Sequence, residues 1–223
     1  MSENQHLLHA NLSPKESLEL LIDANITYHK MKSHKLLASL ESSMEGLSHE
    51  VVIQKRLMEV ENVIPGPVEN DPSWMCCIAP FIGSNSDMHR FNEILPTLTK
   101  VKRKGRSGFI NMESNQILPG DIVSFDATQS NFNLIPADIR IIDCSDCTIN
   151  NIEIFGNDGE SLYVTSDASH NTSYIESLCM VFAGSKILSG RCEGVVVQTG
   201  KDTLLSKLIK NKKWPVPVNK TTI

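Results

Sequence analysis

The chain lacks three features that would each indicate a particular class of protein. None of its apolar runs approaches the roughly 18 residues needed to span a bilayer as a helix. Its net charge of −5 argues against a general nucleic-acid binder, because such proteins are normally basic. The first ten residues carry His, Asn and Glu and lack the apolar core of a signal peptide. We therefore expect a cytoplasmic protein whose six cysteines are reduced.

Two kinds of ligand site are also missing. A phosphate-binding loop of the GxxxxGK[ST] type is absent. Cys144-Ser-Asp-Cys147 has zinc-like spacing, but a structural zinc site needs two further ligands, and Cys179 and Cys192 are isolated in the sequence. We therefore expect no metal and no cofactor, and we interpret Cys144 and Cys147 as incidental cysteines of a β-hairpin.

What is present is typical of a globular protein. Charged residues make up 21% of the 223 residues and hydrophobic residues 40%, a composition too apolar for wholesale disorder. A chain of this length can form one sizeable core with an appendage, or alternatively two small domains.

Two turn-and-strand motifs dominate the middle of the chain, Ile117-Leu-Pro-Gly-Asp-Ile-Val123 and Leu134-Ile-Pro-Ala-Asp-Ile-Arg-Ile-Ile142. Pro119 and Gly120 favour a tight turn, and the β-branched residues after it favour a strand that follows the turn. Pro136 should open a strand or lie at an edge, since it cannot donate to a ladder. Arg140 should project to the opposite face from its neighbours. The pattern predicts a β-rich region from Val101 to about Thr199, with a loop from Asn157 to Ser173.

Helices are predicted on both sides of this region. Ser13 and Pro14 are typical of a helix start, and Ser48 caps a second predicted helix that runs to about Val60 with Val51, Val52 and the Leu57-Met58 pair on one side. Two further helices are predicted at Arg90–Leu98 and Thr203–Lys210.

These motifs together resemble the actuator domain of P-type cation-transporting ATPases. The resemblance continues in Ile149–Asn151, in Phe182-Ala-Gly-Ser185, in Gly194–Gly200 and in Asp202-Thr203. Upstream, His34-Lys-Leu36 and the segment Gly46–Asn62 resemble the amino-terminal segment of sodium/potassium and proton/potassium pump alpha subunits. The resemblance covers roughly residues 30 to 215.

The resemblance implies a mainly β, α+β fold: a distorted jelly-roll-like actuator domain with amino-terminal helices and a carboxy-terminal helix. It divides the chain into an amino-terminal helical segment (1–64), a linker (65–99), the actuator domain (100–210) and an extended tail (211–223). In the family a transmembrane hairpin lies between the first segment and the actuator. Here only Ser84, Asn85 and Ser86 separate the matching flanks, so we expect this hairpin to be deleted.

The phosphorylation motif of the family, Asp-Lys-Thr-Gly-Thr, is absent from these residues. Without a phosphate acceptor and a nucleotide cradle, we expect no ATP turnover by this chain alone. The chain is therefore predicted not to be an enzyme.

The family's actuator loop, Thr-Gly-Glu-Ser, can be matched in two registers. Counting straight on from Asn151 places Phe155–Asp158 in the loop, so that Asn157 takes the position of the Glu. A three-residue insertion places Asp158-Gly-Glu-Ser161 there and makes Glu160 the water-activating carboxylate. The second register is slightly favoured, because related pumps tolerate Asp at its first position. The alternative, which we favour for function in this chain, is that Asn157-Asp-Gly159 is a turn and Glu160 a solvated carboxylate, since the acyl phosphate would have to come from another molecule.

Three roles follow from the resemblance. The first is a binding or regulatory module that docks on the phosphorylation domain of a P-type ATPase. The second is a fragment or splice product of a sodium/potassium-type pump, and the third is acyl-phosphate hydrolysis through Glu160. The basic run Lys100–Arg106 is expected to be a solvated edge strand and turn, with contact to anionic lipid headgroups as the alternative. No nucleic-acid partner is expected.

Overall fold

The computed structural model describes residues 18–23, 25–58, 61–67, 86–170 and 172–217. The predicted helix start at Ser13, the linker at 68–85 with most of the expected deletion point, and the tail from residue 218 lie outside these ranges.

An antiparallel sheet forms the centre of the fold. Its order is β2-β1-β3-β7-β4-β5, with the short strand β6 on the same edge of β4 as β5. The strands are β1 (Leu98–Lys102), β2 (Ile110–Glu113), β3 (Ile122–Asp126), β4 (Asp138–Asn150), β5 (Leu162–Tyr163), β6 (Met180–Val181) and β7 (Lys186–Gln198). The predicted mainly β, α+β fold is confirmed.

Both faces of the sheet are buried. On β3, Ile122 belongs to one apolar cluster and Val123 to another, and on β7 Val195 and Val196 divide in the same way. This separation follows from the two-residue period of a strand. One cluster includes residues of most of the described helices, whereas the other consists, within the described ranges, of strand, turn and loop residues.

Helices cover the first face. The described helices are α1 (Ser33–Ser39), α2 (His49–Leu57), α3 (Ser86–Ile94), α4 (Ile152–Phe155) and α5 (Leu204–Lys210). All except α2 contribute to the cluster on this face, whereas Val52 of α2 is buried in a separate cluster with Leu47 and Leu118. Leu36 of α1, Ile94 of α3 and Leu205 of α5 are buried in the same cluster as Val195. No helix in the described ranges is long and apolar enough to cross a membrane.

The helix predictions were accurate in place and less so in extent. The Ser48 hydroxyl accepts from the Val51 N–H at 3.4 Å and caps α2 as predicted, but the helix ends at Leu57. Leu57 and Met58 are 79% and 76% exposed, so their predicted place beside Val52 on an apolar side is wrong. The helix predicted at Arg90–Leu98 begins earlier, at Ser86, and Leu98 already belongs to β1.

The predicted cysteine hairpin is a single strand. Cys144 and Cys147 both lie in β4, whose register shifts between Ser145 and Thr148. Cys192 of β7 pairs with Cys144 across the ladder and is buried in the same cluster as Cys147. Within the described residues no group of three His, Cys, Asp or Glu side chains could hold a metal ion.

Candidate functional site

The candidate actuator loop leaves the sheet at the end of β4. Asn150 Oδ1 accepts a hydrogen bond from the Ile152 N–H at 2.8 Å, and this side-chain turn starts α4. A 3-10 turn at Gly156–Gly159 follows, and β5 then returns to pair with β4. The loop is therefore a compact excursion between two paired strands.

Two glycines allow the loop to close on itself. Gly156 has a φ of +63°, which side-chain-bearing residues rarely adopt. At Gly159 an added Cβ would lie 2.5 Å from the carbonyl group of Asn151, while the Asn151 N–H donates to the Gly159 carbonyl at 2.8 Å. Contact between the two ends of the loop thus requires glycine at position 159.

Both candidate residues of the loop are exposed. Asn157 lies in the 3-10 turn and Glu160 follows it directly, with the Glu160 N–H donating to the Asn157 carbonyl at 3.4 Å. The two registers thus place their key residue on the same surface turn. A catalytic role for either one stays a prediction.

The base of the loop is held firmly. Glu153 of α4 accepts from Arg90 Nε of α3 at 2.8 Å, and the Arg90 guanidinium lies 5.9 Å from the ring centroid of Trp214. Ile154 is completely buried, and Phe155 makes an edge-to-face contact with Phe182. A fixed base therefore presents an exposed tip.

The basic run near β1 is not an edge strand, contrary to the prediction, because β1 lies between β2 and β3. Arg103 makes a paired contact with the completely buried Asp121, Nε to Oδ1 at 2.7 Å and Nη2 to Oδ2 at 2.6 Å. Lys100 Nζ donates to Gln129 Oε1 at 2.6 Å. Lys100 and Arg103 of this run therefore make contacts that stabilise the fold.

A second buried carboxylate lies at the start of β4. Asp138 accepts from the Ala183 N–H at 3.2 Å and from the Leu204 N–H, at the beginning of α5, at 2.8 Å. No salt bridge to Asp138 occurs within the described ranges. Burial raises the pKa of Asp138 to about 7, although both hydrogen bonds oppose the shift.

Two important polar residues could not be recognised from the sequence. Arg140 does point away from the side of Ile139, as predicted, yet it is completely buried, and it donates to the backbone carbonyls of Ile141 and Ser166. Asn62 bridges the carbonyls of Ser114 and Pro136, each at 2.9 Å, and accepts from the Gly200 N–H at 2.9 Å. A polar residue in an alternating strand usually signals exposure, but at Arg140 both faces of the sheet are buried. Asn62 lies outside the strands, and its partners are 52, 74 and 138 residues away in the chain.

The antiparallel sheet, buried on both faces and with its loop at the end of β4, has the architecture expected of an actuator domain. The family described as the P-type ATPase actuator domain matches residues 93–213, more than half of the chain. The chain therefore belongs to this family.

Its relatives include the magnesium-transporting ATPase, P-type 1, of Escherichia coli strain K12, which is 29% identical over 115 residues. The protein of the same name from Escherichia coli O157:H7 matches equally well. The match covers 50% of this chain and 12% of the relative, so the chain spans only a small part of the curated proteins it matches.

Proposed function

We propose that this chain acts as a binding module of the actuator type, which docks on the phosphorylation domain of a P-type ATPase and has no catalytic turnover of its own. The observation that carries the proposal is the exposed turn at Gly156–Gly159 on a base fixed by the Arg90–Glu153 pair. A rigid scaffold with a protruding loop suits recognition of a partner surface.

The absence of the Asp-Lys-Thr-Gly-Thr motif from the sequence supports a non-catalytic role. The proposed place of action is the cytoplasmic face of a pump, where such a domain meets its partner. The proposed division at residues 64, 99 and 210 stays a prediction.

The test measures the ATPase rate of a purified P-type pump with and without the chain. Competition with the pump's own actuator should lower the rate saturably. A matched variant, Glu153→Gln, loosens the base of the loop and should weaken the effect, whereas Glu113→Gln on the distant strand β2 should not. No binding and no change of rate at high concentration would overturn the proposal.

Catalysis through Glu160 is an alternative to the non-catalytic role and has a test of its own. Its exposed carboxylate can accept a proton from water once a partner surface encloses the loop, whereas the amide of Asn157 cannot. The chain would be added to a phosphoenzyme stalled by loss of its own actuator Glu. Phosphate release should rise by about 100-fold or more through Glu160 and should be lost in Glu160→Gln. If the gain persists in Glu160→Gln, Glu160 has no such role.

A second candidate function is that of a fragment of a cation-transporting ATPase, contributing to transport only within the full protein. It is favoured by the 12% of the relative that the match covers. The motifs at His34–Leu36 and Gly46–Asn62 suggest a sodium/potassium or proton/potassium type, whereas the two Escherichia coli relatives are magnesium-transporting ATPases. Sequencing the transcript and its flanking genomic region distinguishes the candidates, since a fragment requires adjoining coding sequence for membrane helices.

A further inference from the structure

Three cysteines converge on one side of the sheet, where β4 and β7 pair. Cys144 lies directly opposite Cys192 in the antiparallel ladder. Cys147 and Cys192 are buried in the same apolar cluster, and Cys144 packs against that cluster. The Cys144-Ser-Asp-Cys147 motif, which forms no metal site within the described ranges, therefore has a third thiol beside it on another strand.

A bulge in β4 turns both cysteines of this motif to the same face. Successive residues of a strand point to opposite faces, so two residues three positions apart would normally be separated by the sheet. Here the register shifts between Ser145, which pairs with Arg191, and Thr148, which pairs with Ser189. The segment of β4 is thus one residue longer than the segment of β7 opposite it, and Asp146 within it has a φ of +48°. The extra residue brings the second cysteine back to the face of the first.

The backbone positions of Cys144 and Cys192 suit a disulfide. Directly opposed residues of an antiparallel pair have Cα atoms about 4.5 or 5.5 Å apart. Both spacings fall within the range of about 4.4–6.8 Å that a disulfide bridges. Cys147 lacks this placement, because it lies next to the pair of Thr148 and Ser189 and is not opposite Cys192.

The three thiols differ in exposure. Cys147 and Cys192 are each 2% exposed, whereas Cys144 is half-buried. Oxidation of a thiol by a small molecule depends on its exposure. A soluble oxidant therefore has access to Cys144 first, and the buried Cys192 is in place to react with the product.

We propose that Cys144 and Cys192 are a redox modification site, at which a peroxide forms a disulfide between β4 and β7. In the first step the O–O bond of the peroxide breaks, and the Cys144 thiol becomes a sulfenic acid with release of one water. In the second step the Cys192 sulfur attacks the Cys144 sulfur, and the hydroxyl leaves as water with the Cys192 proton. The two thiols lose two electrons, which reduce one hydrogen peroxide to two waters. The inference does not rest on the proposed docking function.

The surroundings of the thiols make this reaction slow at neutral pH. The pKa of Cys144 is raised by burial and by the neighbouring Cys147, Asp143 and Asp167. The pKa of Cys192 is raised by a hydrogen bond with Cys147 and by burial. Because the thiolate is the reactive form, the oxidation is best followed at about pH 8.5.

The test maps the disulfides of the folded full chain after treatment with hydrogen peroxide. Free thiols are blocked with N-ethylmaleimide before the chain is unfolded, so that no new pairs form during digestion. Trypsin and Asp-N protease then cut the chain. Cleavage before Asp146 separates the two cysteines of the motif into peptides 143–145 and 146–157, and peptide 192–201 carries the third cysteine.

We expect peptide 143–145 to be linked to peptide 192–201 within one chain. The linked pair should be lighter than the two free peptides by about 2 Da, the mass of the two lost hydrogens, and dithiothreitol should separate it. A link between 146–157 and 192–201, or the absence of any link to 192–201, would overturn the proposal.

A matched pair of variants strengthens the test. Cys144→Ser should abolish the link to peptide 192–201, whereas Cys147→Ser in the same motif should retain it. Cooperative thermal unfolding shows that each variant is folded. Retention of the link in the first variant, or its loss in the folded second variant, would refute the assigned pair.

Oxidation in concentrated urea tests whether the fold directs the pairing. The ladder between β4 and β7 is then lost, so the fraction of chains with the Cys144–Cys192 link should fall several-fold in favour of other pairs. An equal fraction in urea would show that the sheet does not select this pair, contrary to the proposal.

Discussion

The turns before β3 and β4 have nearly the same sequence, Leu118-Pro-Gly-Asp121 and Ile135-Pro-Ala-Asp138, and each ends in a completely buried aspartate. Asp121 accepts from the Leu118 N–H at 2.8 Å and from two nitrogens of Arg103. Asp138 accepts only from backbone N–H groups, those of Ala183 and Leu204. Similar turns therefore bury their carboxylates in two different ways.

The difference shows how the position of a turn decides its electrostatics. Burial raises the pKa of both aspartates, but at Asp121 the guanidinium of Arg103 opposes the shift through a hydrogen bond and through its charge. Asp138 lies against the beginning of α5, where the helix dipole offers a weaker positive charge. Asp121 thus has a cationic partner, whereas Asp138 has no salt bridge within the described ranges and a pKa of about 7.

The largest effect is expected from breaking the first turn. Arg103→Met should lower the free energy of unfolding by about 3–5 kcal/mol, because the buried carboxyl of Asp121 would lose its partner. Urea denaturation at pH 7 measures the loss. Arg106→Met removes an exposed arginine of the neighbouring turn and is the control; equal losses in the two variants would contradict the buried pair.

The second turn should respond to pH. The pKa of Asp138 in the folded chain is about 7, above the ordinary value of 3.8. The folded chain therefore binds the proton of this carboxyl more tightly than the unfolded chain does. The contribution of Asp138 to stability is therefore complete below about pH 4 and is lost as the pH rises towards 7. The loss is a few kcal/mol, at most about 4.

Asp138→Asn isolates this contribution, because it removes the titrating group. The pKa of His29 is lowered by burial and has the opposite effect, since its contribution is lost as the pH falls through and below 6.5. Urea denaturation from pH 4 to 8 gives the free energy of unfolding of the unchanged chain and of Asp138→Asn. The contribution of His29 is the same in both and cancels in the difference. A difference that does not vary with pH would show that Asp138 does not titrate in this range.

Asn62 joins the second turn to the amino-terminal segment through its bond to the Pro136 carbonyl. Asn62→Ala should cost about 2 kcal/mol, since it leaves buried backbone groups unpaired. Thermal unfolding gives the loss. Asn115→Ala, which removes an exposed amide close by, should cost little, and a comparable loss there would argue against the bridge.

The smallest effect is expected at the start of α5, where the Leu204 N–H donates to Asp138. The Thr203 hydroxyl accepts from the Ser206 N–H at 3.3 Å and donates to the Gly200 carbonyl at 2.8 Å. Thr203→Val keeps the shape but loses both bonds and should cost about 1 kcal/mol. The stability lost on Thr203→Val should differ when Asp138→Asn is also present, because both residues contact the start of α5. If the two losses simply add, the residues act independently.

Local patterns predicted the elements of the fold well. The tight turn at Leu118–Asp121, the opening of β4 after Pro136 and the helix Leu204–Lys210 all follow from dihedral preferences and apolar spacing. The bulge in β4 and the inner position of β1 were missed. Both depend on which strand pairs with which, and periodicity within one segment contains no such information.

The candidate site was predicted in part. Its location after Asn151 came from the resemblance, and the structure places both Asn157 and Glu160 on one turn. The support beneath it was not predictable, because Arg90 and Glu153 are 63 residues apart in the chain. The buried Oδ1 of Asn151, which has no hydrogen-bond partner within the described ranges, was not predictable either, since burial of a polar atom depends on the residues around it in the fold.

The sequence by itself determined the two Pro-containing turns and the turn at Asn157–Gly159, because each follows from the dihedral preferences of a few neighbouring residues. It indicated the class of fold through the resemblance of its motifs to a known family. Only the tertiary structure decided which charges are paired. Arg103 reaches Asp121 because β1 lies beside β3, and Asp138 meets α5 because the chain returns there after β7. Contacts of this kind depend on strand order and on burial of both sheet faces, which are set by the whole chain.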